Sequence, residues 1–241
     1  MYGWRAKLGL ILPANNTVTE PELGHNTPLG VSIHATKVMA RGATPPERVK
    51  YITHNVPGAR EALMDSRVNA MSYGCMMSCL VKGAEWEEET CESLGTSDVP
   101  FQTPGRALRS ALDALEVRRI SVFSPYSDEV AQYVPVYFEG LGYEVVANVN
   151  RGDLFDPQLV VNLHPEDLFR AIASIPPADA LCILPTDLPT FQILETLEKT
   201  WGGPVVTSNL AIFWSLLRAA SVPDALPGLG VLGQLAPVGR S

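Results

Sequence analysis

Long apolar runs are what this sequence most obviously lacks. None of its stretches approaches the ~18 consecutive apolar residues of a bilayer-spanning helix. The opening Met1-Tyr-Gly-Trp-Arg-Ala-Lys-Leu8 shows no charged start, apolar core and small-residue cleavage site of a secretory leader. Basic charge is also short: 18 Lys and Arg stand against 26 Asp and Glu, for a net charge of -8. With a pI near 5.0 and no basic stripe to track phosphates, nucleic acid is excluded as a partner. A small anion is not excluded, because backbone N–H groups bind one locally whatever the net charge. Cysteine is scarce, and Cys75, Cys79, Cys91 and Cys182 form neither a disulfide framework nor a CxxC pair. That usage points to a reducing cytoplasm. His25, His34, His54 and His164 are scattered without metal-pair spacing, so no metal and no cofactor is expected.

What is present centres on Asn69-Ala-Met-Ser-Tyr-Gly-Cys75-Met-Met-Ser-Cys79. Asn69 to Tyr73 reads as a buried strand, Gly74-Cys75 as a tight turn, and Met76 onward as the first turn of a helix. Helix-start N–H groups and the helix dipole favour an anion at Gly74, Cys75 and Met76, so the Cys75 thiol is expected to ionise readily. A thiolate there serves as nucleophile or proton-transfer base. The alternative is a small buried hydrophobe at a packing point.

Along the chain, apolar runs end at Pro or Gly and alternate with helical spacing. Lys7–Leu12, Gly30–Val38, Asn69–Tyr73 and Val99–Thr103 read as strands, with helices over Tyr51–Ser66, from Met76 and over Arg106–Leu115. Thr17 or Thr19 is the expected cap of a segment over Glu20–Leu23. The order then restarts with strands at Arg119–Pro125, Gly142–Val149, Ala180–Leu184 and Pro204–Thr207, and helices between them. Pro13 and Gly30 lie 17 positions apart, as do Pro125 and Gly142, so an internal repeat is expected. Alternating strands and helices predict an α/β fold of two pseudo-symmetric lobes, each a parallel sheet flanked by helices. Residues 1–105 with 208–241 would form the first lobe and residues 106–207 the second. Ligands bind beyond the carboxyl ends of such strands, so turns 13–17, 74–76, 125–127 and 185–187 should meet in one inter-lobe cleft. Lys82 and Gly83 are expected to continue their helix, Glu85–Glu89 to form a solvated face, and the tail from Val222 to lie on the surface.

Four motifs in order carry a family resemblance. Leu8-Gly-Leu-Ile-Leu-Pro-Ala-Asn-Asn-Thr17 is similar to a "GLIVPSSNT" opening, and Tyr73-Gly-Cys75 to "YAC". Phe123-Ser-Pro-Tyr126 is similar to "TPY", and Val206-Thr-Ser-Asn-Leu-Ala211 with Trp214 to "SNxAxxW". The chain thereby resembles the Asp/Glu racemase superfamily, in the branch of maleate cis-trans isomerase and arylmalonate decarboxylase, from about residue 6 to 220. The resemblance implies Cys75 as first catalytic thiol, Asn16 and Thr17 as a carboxylate-holding loop, and Tyr126 as a substrate hydrogen-bond donor. Thr103, Thr186 and Asn209 join them as expected substrate contacts.

One departure decides among mechanisms. The second-lobe turn of the family reads "SCTNLRT", with the second thiol; here Leu184-Pro-Thr-Asp-Leu-Pro-Thr190 puts Pro185 in its place. Cys182 lies three positions earlier, on the other face of its strand, and reads as core. Racemisation needs a thiol on each face of the α-carbon and is disfavoured; arylmalonate-type decarboxylation, which protonates from the missing thiol, is weakened and stays as a runner-up. Maleate-like cis-trans isomerisation through Cys75 remains the leading expectation. Asp187 offers a carboxylate in the same turn, as general acid or base or simply as a helix cap. With Cys75 it would also suit a hydrolase of a cyclic amide or lactone, and a degenerate small-acid-binding protein is the non-enzyme reading. The expected partner is a small carboxylate; a homo-oligomer is compatible with the sequence. Specificity is assigned to loops 38–50 and 150–165.

Overall fold

The computed structural model describes residues 2–152 and 164–235; residues 153–163 of the second expected specificity loop lie outside that range. β1 (Ala6–Pro13), β2 (Val31–Val38), β3 (Ala70–Tyr73) and β4 (Phe101–Gln102) form one parallel sheet in the order β2-β1-β3-β4. β5 (Arg119–Ser124), β6 (Glu144–Asn150), β7 (Ala180–Ile183) and β8 (Val205–Thr207) form a second in the same relative order, β6-β5-β7-β8. The expected repeat is therefore real at the level of topology. The second copy differs by a register irregularity between Ile120 and Ser121 on β5.

Alternation along β1 shows how the first sheet is covered. Ala6, Leu8, Leu10 and Leu12 face a core that runs on into the second lobe, while Ile11 faces a separate cluster under α2 (Pro45–Asp65). Gly9 lies on the α2 side, where an added Cβ would sit 2.9 Å from Met71 and 3.1 Å from Leu63. Side-chain-free backbone here lets α2 seat closely. α4 (Pro104–Ala114) packs on α9 (Ser208–Ala219), and both belong to the continuous core that joins the two sheets.

Helix boundaries follow local chemistry the periodicity did not show. α2 begins at Pro45, six positions before the expected Tyr51. Thr44 caps it, accepting from the Glu47 N–H, while the Glu47 carboxylate accepts from the Thr44 N–H: a capping box, followed by Pro at the first two positions. α1 (Thr19–His25) is capped by neither Thr17 nor Thr19. The Asn16 carboxamide accepts instead from the N–H groups of Val18 and Thr19, both at 3.1 Å. α3 (Met76–Leu94) does not run straight through Gly83, which has φ +83° and ψ 172° and breaks the helical path. Between β5 and β6 the chain forms two short helices, α5 (Asp128–Ala131) and α6 (Tyr133–Gly140).

Two other expectations are corrected. The glutamate run after Gly83 is not uniformly solvated: Glu87 is 2% exposed and accepts from the Thr103 and Tyr137 hydroxyls and the Arg106 N–H. That buried carboxylate joins α3 to α4 and α6. The tail beyond Val222 is not a surface strand of coil either. Leu226, Leu229 and Leu232 are buried around α10 (Gly230–Gln234), and Asp224 pairs with Arg5. The remaining helices are α7 (Pro165–Ile172) and α8 (Leu194–Trp201), the latter entered through a 3-10 turn at Phe191–Ile193. Among the described residues no helix is long and apolar enough to cross a membrane.

Candidate active site

A cavity of about 440 Å³ opens at the carboxyl ends of the strands, between the lobes. Each of the four expected turns contributes to it: Pro13–Asn16 after β1, Cys75 and Met76 after β3, Pro125 and Tyr126 after β5, and Pro185–Asp187 after β7. The crossover geometry dictates this, because parallel strands present their carboxyl ends to the same edge of each sheet.

Cys75 is the N-cap residue of α3, in extended backbone (φ -140°, ψ 96°), and is 6% exposed. Gly74 precedes it because a Cβ there would collide with Leu12 of β1. Met76 and Met77 line the cavity, and as the first two positions of α3 their N–H groups have no acceptor within the helix. Those donors and the helix dipole suit a carboxylate beside the thiol. The Ser78 hydroxyl donates to Cys75 Sγ at 3.4 Å and is itself 2.7 Å from the Tyr73 hydroxyl.

The thiol is nevertheless harder to ionise than the helix start alone suggests. Burial pushes the Cys75 pKa up, outweighing the hydrogen bonds from Ser78 and Tyr73, and the nearby Asp187 charge adds to the rise. The expectation of ready ionisation is corrected accordingly: Cys75 is held as a thiol, and a base must take its proton. Asp187 is the group placed to do so. It is only partly exposed, and burial raises its pKa from 3.8 to about 6, against the pull of its own backbone N–H. Near pH 7 it is therefore mostly ionised yet close to its titration point, which suits proton transfer. Tyr126 is 6% exposed, and burial, with the Asp187 and Cys75 charges, pushes its pKa well up. It stays a neutral donor, and its hydroxyl bonds to no described residue.

Six of the ten expected site residues thus line one cavity: Asn16, Cys75, Met76, Tyr126, Thr186 and Asp187. Four do not. Thr17 is exposed outside the cavity lining, because the Asn16 turn directs the chain away into α1. Gly74 lies behind Cys75, its carbonyl taken by the Thr186 hydroxyl at 3.1 Å. Thr103 is the buried N-cap of α4, bonded to Glu87 and the Arg106 N–H. Asn209 is buried behind the cleft, where it bonds Glu22 and the Thr186 carbonyl. Asn16 has little capacity left for a ligand, since its Nδ2 is spent on Thr19 and Thr186. Cys182 is fully buried in β7 between its sheet neighbours Val122 and Val206, consistent with its reading as core.

Asn16, Thr19 and Asn209 all donate to Thr186, and Glu22 of α1 accepts from the N–H groups of Thr190 and Phe191. This web ties the second-lobe turn carrying Asp187 to the first lobe carrying Cys75. Sequence reasoning did not find Glu22, because its partners are 168 positions and more away. It also passed over Arg48, which lines the cavity from α2; the Thr44-Pro-Pro-Glu47 capping box was the available signal that a helix, not a loop, carries it.

Comparison with known proteins finds relatives along nearly the whole chain. A maleate isomerase of Nocardia farcinica is 25% identical over 94% of this chain and 94% of its own length. An arylmalonate decarboxylase of Bordetella bronchiseptica is 30% identical over 56% of this chain and 58% of its own. The solved structure of a Cys-to-Ser variant of the Nocardia farcinica maleate cis-trans isomerase, with a covalently bound succinylcysteine intermediate, superposes with a TM-score of 0.87. It is 23% identical, with 95% of this chain and 98% of that one covered. Residues 8–233 match the family described as arylmalonate decarboxylase, and the chain belongs to that family.

Proposed function

We propose that the protein is a cofactor-independent enzyme that isomerises a small maleate-like cis-diacid through Cys75. One observation carries this reading: the Cys75 thiol at the head of α3 shares a single cleft with an Asp187 carboxyl titrating at about 6. A substrate carboxylate beside Met76 and Met77 would accept their free N–H groups, with the Tyr126 hydroxyl as a further donor. Asp187 takes the thiol proton as sulfur bonds to one alkene carbon. The π electrons pass to the neighbouring carbon and are delocalised into its carboxylate. The former double bond, now single, turns. The electron pair then re-forms the double bond, the carbon–sulfur bond breaks, and Asp187 returns its proton to the leaving thiolate. Supporting this order of events are the maleate isomerase relative and the succinylcysteine adduct held by the solved Nocardia farcinica variant.

Pro185 lines the cleft where the resemblance places a second thiol, so Asp187 carries the proton traffic in this reading. The same Cys75–Asp187 pair favours one alternative, thioester-forming hydrolysis of a cyclic amide or lactone. Proton NMR of the protein with maleate in deuterated water separates the two. Isomerisation predicts fumarate free of deuterium, formed by the native protein and not by Cys75→Ala. Persistence of maleate beside ring opening of a cyclic imide would replace it with hydrolysis.

A further inference from the structure

The cavity offers more room than a four-carbon diacid fills. Its volume of about 440 Å³ falls within the roughly 300–1,000 Å³ of drug-sized ligand sites. Away from Cys75 and Asp187 its wall is formed by the segment after β2 and the start of α2, including Met39, Gly42, Arg48 and Ile52. In this largely apolar wall Arg48 is the cation.

Arg5, Arg60, Arg106, Arg109, Arg118, Arg119 and Arg170 each pair with a carboxylate. Arg48 has no such partner among the described residues. Arg41, Arg67 and Arg218 also form no ion pair with a carboxylate, but among the described arginines it is Arg48 that lines the cavity. Its Nε donates to the Gly42 carbonyl at 2.9 Å, and its two terminal nitrogens bond to no described residue. The adjacent carboxylate, Glu47, is spent on the Ala43 and Thr44 N–H groups at the helix cap. Gly42 itself has φ +137°, and a Cβ there would press on Glu47 and the Arg48 backbone at 2.7–2.8 Å. The turn therefore folds tightly onto α2 and holds the stem of Arg48 while leaving the fork of its guanidinium unspent. Arg48 is absent from the groups that shift Asp187 or Tyr126, so the charge stands apart from the catalytic end. Fixed donors in a planar fork, facing an apolar cavity, are what two-point recognition of a carboxylate needs.

We propose that Arg48 is a specificity-determining residue that binds a second carboxylate of the substrate, at the α2 end of the cleft. The site would then take a dicarboxylate longer or more substituted than maleate. One carboxylate would lie at the α3 N–H groups, the reacting carbon at Cys75, and the far carboxylate at Arg48. This deepens the carboxylate-transforming reading and rests on it for the placement of the first carboxylate.

Binding, not turnover, tests it. Isothermal titration of the Cys75→Ser protein with glutarate, adipate and their monomethyl esters would be compared with the same protein carrying Arg48→Gln or Arg48→Lys. Circular dichroism would establish that each variant is folded. For at least one diacid, Arg48→Gln should weaken binding by about tenfold or more, change its monoester less than about twofold, and be partly rescued by Arg48→Lys. Equal losses for diacid and ester, no loss for either, or no diacid binding at millimolar concentration would overturn it. Because no chemistry is required, failure to isomerise maleate would remove the isomerase reading and leave this result standing on its own.

Discussion

Asp187 is where a single residue makes the most testable difference. Its carboxyl titrates at about 6 in the folded protein against 3.8 for the free group. A raised folded pKa means that the native state binds the proton more tightly than the unfolded chain does. The stability this gives is fully present below the unfolded pKa and is lost as pH rises through about 6. Relative to Asp187→Asn, the native protein should lose stability between about pH 4 and 7, by at most about 3 kcal/mol because the group is partly solvated. Urea denaturation of both proteins across that range measures it. As general base the ionised form is needed, so kcat/KM should rise with pH through the same window. In Asp187→Asn that limb should vanish and the rate drop by about 10²-fold or more. Cys75 and Asp187 were legible in the sequence because each lies in a turn that follows a strand-like run, whereas Tyr126 was legible through the family resemblance. The ionisation of Cys75 was misjudged because burial of a thiol is a tertiary property that no local motif states.

At the scale of elements, α3 shows what local sequence does and does not disclose. Its start was readable from the Gly74-Cys75 turn, whereas its break at Gly83 was not. Gly83 adopts φ +83° with nothing within 4 Å of an added Cβ, so the position demands backbone freedom and not space. Gly83→Ala should therefore cost about 1–3 kcal/mol, because positive φ with extended ψ is open essentially to glycine alone. Thermal unfolding with an unchanged native circular dichroism spectrum would register it. A neutral or stabilising effect would mean that α3 can straighten. The break also explains the glutamates that follow: it turns Glu87 inward to Thr103 and Tyr137, while Glu88 pairs with Arg106 and Arg109 outside. Strands were read well because those buried on both faces give unbroken apolar runs ending at Pro or Gly. Helix starts set by caps, as at Thr44, were read late because apolar periodicity begins only a turn inside the helix.

For the whole molecule, the repeat and the cleft followed from element order and the rules of parallel crossovers. The fastening between the halves did not, because it consists of pairs such as Glu22 with Thr190 and Phe191, invisible without three-dimensional placement. Burial pushes the Glu22 pKa up, yet three donors hold its carboxyl: the Thr190 N–H, the Phe191 N–H and Asn209 Nδ2, the last at 2.8 Å. Glu22→Ala strips partners from these groups at the joint that carries Asp187. It should cost about 2–4 kcal/mol in urea denaturation, from unsatisfied donors. Activity should fall with it, since the Asp187 turn is anchored through Thr186 and Thr190. A variant that lost neither would show that the lobes hold their relation through the continuous apolar core alone.

The proposed isomerisation requires a covalent bond to Cys75. The direct measurement is peptide mass mapping after the native protein is mixed with maleate and quenched in acid within the first turnovers. A mass increase of one maleic acid is predicted on the peptide containing Cys75, and none on those containing Cys91 or Cys182. Fragmentation within the shared peptide should place it on Cys75 and not Cys79, and Cys75→Ser should carry no adduct. Turnover of maleate with no adduct on that thiol, or an adduct distributed over all four cysteines, would contradict it.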